Sequence, residues 1–400
     1  MPLTPYSGPI IDSHLHLFDP RRPQGIPWPE PGNALYAAHL PADYWGLAGE
    51  HNVIGAIAVE ASPWRDDNRW LLETLRSDPR MLGFVGNLDP LHGDFAADLE
   101  ALAQEPLFLG LRYGNLWDRD LLEDQTRPGF IDGLRRLAKC GRGLDSANPN
   151  PRLIKGLLHL SDALPELRII VDHLPNASVP AGEESAYHAD LMRLAERPNV
   201  FAKLAEIPQV GPHGLITDPA FYNDRLAVLW EAFGEDRCFF GSDWPNSDHL
   251  ASFATTLDLV KACMAGKPED VQGKFFLHNA VRIYNPTPPP RRPVMQTRAF
   301  RMNLNPGQHA EYRRRHDEIW PELAQALRDA GVVDYRIFLD EASNALFAVM
   351  THEHQHGLDA LPGTALMQRW WQYMQDIMPS HPDASPVSVD LIPMFSLTPG

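Results

Sequence analysis

The chain has 400 residues, 44% hydrophobic and 22% charged, a soluble globular composition too long for one ordinary core, so two or three domains or a large barrel with a small partner are expected. A formal net charge of -17 argues against nucleic acid and anionic membrane as partners, since both need a basic face. No apolar run reaches the ~20 residues of a membrane span, Met1-Pro2-Leu3-Thr4-Pro5 has no signal-peptide pattern, and the scattered Cys140, Cys238 and Cys263 read as reduced thiols of a cytoplasmic protein.

Along the first 285 residues, short apolar runs alternate with helical patterns. Strands are expected at 10–13, 53–59, 82–86, 108–112, 143–146, 168–172, 200–204 and 238–241. Helices are expected between many of them, for example at 69–76, 95–104, 131–139 and 224–233. Apolar runs of this kind are buried parallel strands. Eight such units fit a (β/α)8 TIM barrel. A doubly wound open sheet is the main alternative, but no glycine-rich phosphate turn follows the first strand.

Polar residues cluster where these strands end. His14 and His16 follow the first strand, and residues two apart on an extended chain point to one side. Asp172-His173 ends the sixth, and Gly241-Ser242-Asp243-Trp244-Pro245 ends the eighth. A lone HxH pair is more often structural; HxH, DH and GSDWP in this order are a far more specific set. The combination resembles the amidohydrolase superfamily, in particular its branch of sugar lactonases and small-acid hydrolases, over residues 8–285. The resemblance implies that His14, His16 and His173 are catalytic and that Asp243 is the general base. Metal-dependent members usually add a lysine on strand four or a histidine on strand five. Here Gly110-Leu111-Arg112-Tyr113 and Leu144-Asp145-Ser146 supply neither. Two readings therefore stay open: one divalent metal such as zinc held by His14, His16 and Asp243, or hydrolysis without a metal. Arg112 and Lys203 are candidates to bind substrate and stabilise an oxyanion, with a strand-end ion pair as the competing role. Among the loop tryptophans Trp28, Trp64, Trp117 and Trp244, Trp28 is the leading candidate to line a sugar site.

The run PTPPPRRP at 286–293 can continue neither a helix nor a central strand. The domains are placed at 1–287 and 298–400, joined by a proline-rich linker at 288–297. Beyond it, strands are expected at 299–304, 335–339, 346–351 and 391–397, and helices at 307–317, from Pro321 to a C-capping Gly331, and at 365–378. Strand–helix–strand–strand–helix–strand is a small α+β ferredoxin-like order. Its open sheet face predicts a homodimer, a dimeric α+β barrel. Tyr312 and His316 share one helix face. With Arg313-Arg314-Arg315-His316, Gln368-Arg369-Trp370-Trp371-Gln372-Tyr373-Met374 and Ser385-Pro386-Val387-Ser388, this region resembles the L-rhamnose mutarotase family. The resemblance implies that His316 is the proton donor, that Tyr312, Tyr335, Trp370 and Trp371 form the sugar site, and that mutarotation requires no cofactor. The tract His352-Glu353-His354-Gln355-His356 reads as an incidental solvated cluster.

Together the two likenesses imply a bifunctional enzyme of 6-deoxy-L-sugar breakdown. The barrel would hydrolyse an L-aldonolactone, L-rhamnonolactone before L-fuconolactone, and the C-terminal domain would interconvert anomers of the free sugar. The partners are then a small sugar and its lactone. The competing readings are a hydrolase with a merely dimerising or sugar-sensing C-terminal domain, and a metal-dependent hydrolase or decarboxylase of a small organic acid.

Overall fold

The computed structural model describes residues 5–286, 295–353 and 357–394. The chain divides after Pro290 into two compact units. The linker expected at 288–297 therefore falls mostly outside the described residues, and its last residues belong to a strand that starts at Met295.

In the first unit, eight parallel strands follow one another in sequence order: β1 (Ile10–Leu15), β2 (Val53–Val59), β3 (Met81–Gly86), β4 (Phe108–Arg112), β5 (Gly143–Ser146), β6 (Ile169–Val171), β7 (Val200–Leu204) and β8 (Cys238–Phe240). Helices such as Asp67–Leu75, Phe95–Ala103, Phe130–Lys139, Pro151–Ala163 and Pro219–Phe233 lie between them. Nearly every strand residue is buried, as two-sided burial demands. Alternate residues, including Ile57, Val85, Ile170 and Phe239, pack on one another inside the ring of strands. Their neighbours, including Ala56, Phe84 and Leu144, face the helices. A short antiparallel hairpin, Gln209–Gly211 with Gly214–Ile216, follows β7.

What excludes an open sheet is the seam between the first and last strands. Asp243 donates its N–H to the His14 carbonyl at 2.8 Å, and His16 donates to the Trp244 carbonyl at 2.7 Å. Asp12, fully buried, accepts from the N–H groups of His14 (3.1 Å) and Ser242 (2.8 Å) and from the Tyr44 hydroxyl (2.8 Å). Gly241 permits this approach: a Cβ there would lie 2.5 Å from His14 Cβ. The seam also changes one expectation. His14 lies within β1 rather than after it, and only His16 follows the strand.

The second unit has one antiparallel sheet of β9 (Met295–Asn303), β10 (Val332–Asp340), β11 (Ala345–Glu353) and β12 (Val389–Asp390), ordered β10-β11-β9-β12. This is the ferredoxin-like order. Helices His309–Asp317, Pro321–Asp329 and Ala365–Met374 connect the strands. Leu346 and Ala348 of β11 pack against Tyr312, Leu323 and Trp370 from these helices. Gly331 adopts φ 93°, the left-handed conformation that lets the second helix stop. The opposite sheet face exposes Phe338 (56%), Phe347 (37%) and Val389 (53%). Phe338 and Phe347 are cross-strand partners, so their side chains stand together. The last strand is shorter and earlier than expected: residues 391–394 are not in a strand, and 395–397 lie outside the described residues. Of the histidine-rich tract, 354–356 likewise lie outside. No helix among the described residues is long and apolar enough to cross a membrane.

Candidate active sites

The barrel site is built at the seam. Because Asp243 and His16 are tied by backbone to the neighbouring strand end, their side chains meet. His16 Nε2 lies 3.2 Å from Asp243 Oδ1, His14 Nε2 lies 3.6 Å from the same oxygen, and the two Nε2 atoms are 3.3 Å apart. The His14 and His173 rings are 4.7 Å apart. All four side chains are buried. His173 and Asp243 sit at φ 57° and 59°, as do Trp117 (59°) and Asn148 (57°) on neighbouring loops. Left-handed backbone at bulky residues is costly and concentrates at functional sites.

The hydrogen bonds fix one tautomer. His16 Nδ1 lies 3.0 Å from the Val59 carbonyl, which can only accept, so Nδ1 carries the proton and Nε2 turns its lone pair toward Asp243. Either a proton or a cation must separate that nitrogen from the carboxylate. A divalent ion fits. Tetrahedral zinc with bonds of about 2.0–2.1 Å sets its ligand atoms about 3.3 Å apart, and the three separations here are 3.2, 3.3 and 3.6 Å. His173 extends the set: ligand atoms of His14, His173 and Asp243 lie within 4.8 Å of one another.

Electrostatics keep His14 and His173 neutral. Burial, reinforced by the charge of Lys203, pushes His14 well below the usual histidine range. Burial likewise pushes His173 down to about 3. Burial alone would raise the Asp243 carboxyl; a proton shared with His16 Nε2, and the nearby Arg112 guanidinium, outweigh it and hold the group below its ordinary value. Asn246 Nδ2 donates to Asp243 Oδ1 at 3.1 Å. Among the described residues Oδ2 has no such partner.

The two expected cations behave differently from one another. Lys203 has no exposed surface; its ammonium lies 2.6 Å from Asp145 Oδ2 and 3.1 Å from Asp172 Oδ1. Of the two roles open to Lys203, the structure has the ion pair and not the substrate contact: a buried bridge, completed by the Tyr284 hydroxyl donating to Asp145 at 2.6 Å. Asp172 Oδ2 lies 3.7 Å from His14 Nδ1, so the bridge backs the histidine. Burial in this cluster raises the Asp172 carboxyl to about 7. Arg112 Nε, by contrast, donates to Glu60 Oε1 at 2.7 Å at the edge of the centre. Trp28 is half-buried, its ring 6.4 Å from that of His16. Trp244 is core, packed on Tyr44 and His39, and Trp64 is exposed. Glu60, Asp145, Asp12 and Asn246 were not singled out from the sequence, although Glu60 directly follows β2 and so carried the same strand-end signal as His173.

The second unit brings together all five residues expected of it. Tyr312, His316, Tyr335, Trp370 and Trp371 line a cavity of about 810 Å³. Tyr312 stacks on His316 at 4.2 Å, and Trp370 meets the imidazole edge-on at 5.4 Å. His316 Nδ1 donates to the Tyr312 carbonyl at 3.1 Å, which leaves Nε2 as its available lone pair. Burial lowers the His316 pKa and raises that of Tyr312. Both groups are therefore neutral near pH 7.

Comparison with known proteins agrees with this division. Residues 11–285 match the amidohydrolase family model, and residues 297–397 match that of L-rhamnose mutarotase. The L-rhamnose mutarotase of Brucella anthropi is 58% identical over 99 residues, 25% of this chain and 93% of its own. An amidohydrolase from Burkholderia multivorans, crystallised with bound zinc, is 23% identical with a TM-score of 0.61, covering 70% of this chain and 100% of its own. Amidohydrolase 2 from Bifidobacterium longum subsp. infantis is 26% identical with a TM-score of 0.53, covering 70% of this chain and 99% of its own.

Proposed function

Since the chain belongs to the amidohydrolase family over residues 11–285 and to the L-rhamnose mutarotase family over 297–397, we propose that it hydrolyses an L-aldonolactone in the barrel and interconverts the anomers of the parent 6-deoxy-L-sugar in the C-terminal unit. L-Rhamnonolactone with L-rhamnose is the first choice, L-fuconolactone with L-fucose the second. Both reactions occur at carbon one of one sugar, and an oxidation of the cyclic aldose to its lactone stands between them.

The charge balance of the barrel site carries the choice of substrate. The cations that act on His14, His173 and Asp243 are Arg112 and Lys203. Arg112 is matched by Glu60, and Lys203 by Asp145 and Asp172. Neither leaves uncompensated charge for a substrate carboxylate, whereas a neutral polyol lactone needs none. This disfavours a carboxylated aromatic acid or its decarboxylation.

In the barrel reaction Asp243 Oδ2 takes a proton from water as the water oxygen bonds to the lactone carbonyl carbon. Arg112 donates to the oxygen that becomes negative. The ring C–O bond then breaks, and the departing ring oxygen takes the proton from Asp243, giving the open aldonic acid, which ionises to the aldonate and releases a proton to water. His14, His16 and Asp243 Oδ1 would hold a divalent ion such as zinc, which supplies Lewis-acid polarisation when bound.

In the second unit neutral His316 accepts the anomeric proton at Nε2. The resulting imidazolium is the donor that protonates the ring oxygen as the C1–O5 bond opens. The aldehyde turns and closes on its other face, between the aromatic walls of Tyr312, Tyr335, Trp370 and Trp371.

We further propose a homodimer through the exposed sheet face and a cytoplasmic setting, which accords with three unpaired thiols. The test is a panel of aldonolactones and aromatic acids assayed by proton release with and without chelator, alongside saturation-transfer NMR on free L-rhamnose and L-fucose. Turnover of an aromatic acid but no lactone would remove the barrel assignment. Unaccelerated exchange of both sugars would remove the other.

A further inference from the structure

Glu60 stands at the end of β2, 2% exposed, and its carboxylate is fully engaged. Oε1 accepts from Arg112 Nε at 2.7 Å, Oε2 accepts from the Ser62 N–H at 2.8 Å, and both oxygens accept from Trp117 Nε1 at 3.3 and 3.2 Å. The Glu60 carbonyl accepts from Arg112 Nη2 at 3.2 Å. No lone pair of this carboxylate is left to act as a base.

The consequence lies at Arg112. Glu60 occupies the Nε/Nη2 side of the guanidinium, and among the described residues Nη1 has no partner. The guanidinium acts electrostatically on His14, His173 and Asp243, which places it within range of the reacting centre. A planar guanidinium gripped along one side can only present the other. Trp117, at φ 59°, is held by the same carboxylate.

Resting on the hydrolytic reading of the barrel, we propose that Glu60 is a positioning residue: it fixes Arg112 so that Nη1 meets the carbonyl oxygen of the substrate as that oxygen becomes negative. Glu60 touches no reacting atom; it acts through Arg112. Because the donor must be aimed where charge develops rather than where substrate first binds, misaiming it lowers kcat more than it raises KM.

The experiment is a double-mutant cycle with Glu60→Gln and Arg112→Met, read on the fastest substrate of a panel of aldonolactones and simple carboxylic esters. Glu60→Gln is expected to lower kcat by about 10- to 100-fold with KM changed less than about threefold. In the Arg112→Met background the same change should cost no more than about twofold, since the group it acts through is gone. A full, additive loss in that background overturns the proposal, as does a loss confined to KM. Glu60→Asp, which keeps the charge but withdraws it by one methylene, replaces Glu60→Gln if the latter does not fold, with the same expectations. A crystal structure supplies a readout besides activity: Arg112 should reorient in Glu60→Gln, and an unmoved guanidinium counts against us. Should an ester outpace every aldonolactone, the substrate reading fails while the cycle still decides the role of Glu60.

Discussion

Asp243 offers the sharpest test at the scale of single residues. Asp243→Asn keeps the size and removes the base, and should lower lactone hydrolysis by about 100- to 10,000-fold while sugar exchange, read by NMR, is unchanged. Hydrolysis within a few-fold of the parent would exclude Asp243 as the base. His316→Ala should do the converse. The His316 pKa is lowered by burial, and the form that accepts the anomeric proton is the neutral one. Exchange should therefore stay level as pH falls from 8 to its ordinary value near 6.5 and decline only at more acid pH. A decline centred above that value would contradict the burial of the ring. The histidines and Asp243 were legible in the sequence because polar side chains stand out at the ends of apolar strands. Glu60 and Asp145 were not, because a carboxylate after a strand looks the same whether it meets solvent or, as here, a guanidinium or ammonium from another strand. Lys203 stayed open between a substrate group and an ion pair for the same reason: its burial is set by residues of β5 and just after β6, which lie far from it in sequence.

Among the elements, the seam of β1 with β8 governs the barrel site. Gly241→Ala would place a methyl group 2.5 Å from His14 Cβ, against a backbone tied by two hydrogen bonds. Overpacking of this kind costs about 1–3 kcal/mol, and displacement of His14 should lower hydrolysis more than it lowers thermal stability. A variant with full hydrolysis and an unchanged melting temperature would show that the seam yields freely. The eight strands were legible because runs buried on both faces are apolar throughout. The segment at 143–146, the least apolar of them, is also a strand, with Asp145 inside it pairing with Lys203 instead of breaking the run. The last strand was misjudged because apolar Leu391 and Ile392 resemble a strand, yet the residues paired with β9 are Val389 and Asp390, and Leu391 adds one last bond, to the Ala299 carbonyl.

For the molecule as a whole, residues 1–287 and 295–400, expressed apart, should each keep their activity, since each unit has its own core and its own site residues. The smaller fragment should be a dimer by sedimentation, and Phe338→Asp should make it monomeric by putting charge on the exposed face beside Phe347. A fragment that is monomeric before the substitution refutes the dimer and leaves the sugar site standing. The seam has a separate consequence for how the barrel is made. The paired histidines His14 and His16 are in β1 and just after it, and their carboxylate lies beyond β8. A ribosome must therefore release more than two hundred residues after His16 before Asp243 can join it. Until then the histidine pair has no acid to complete it, so a truncated or nicked barrel should be silent rather than weakly active, and hydrolysis becomes a report on whether the first strand has found the last.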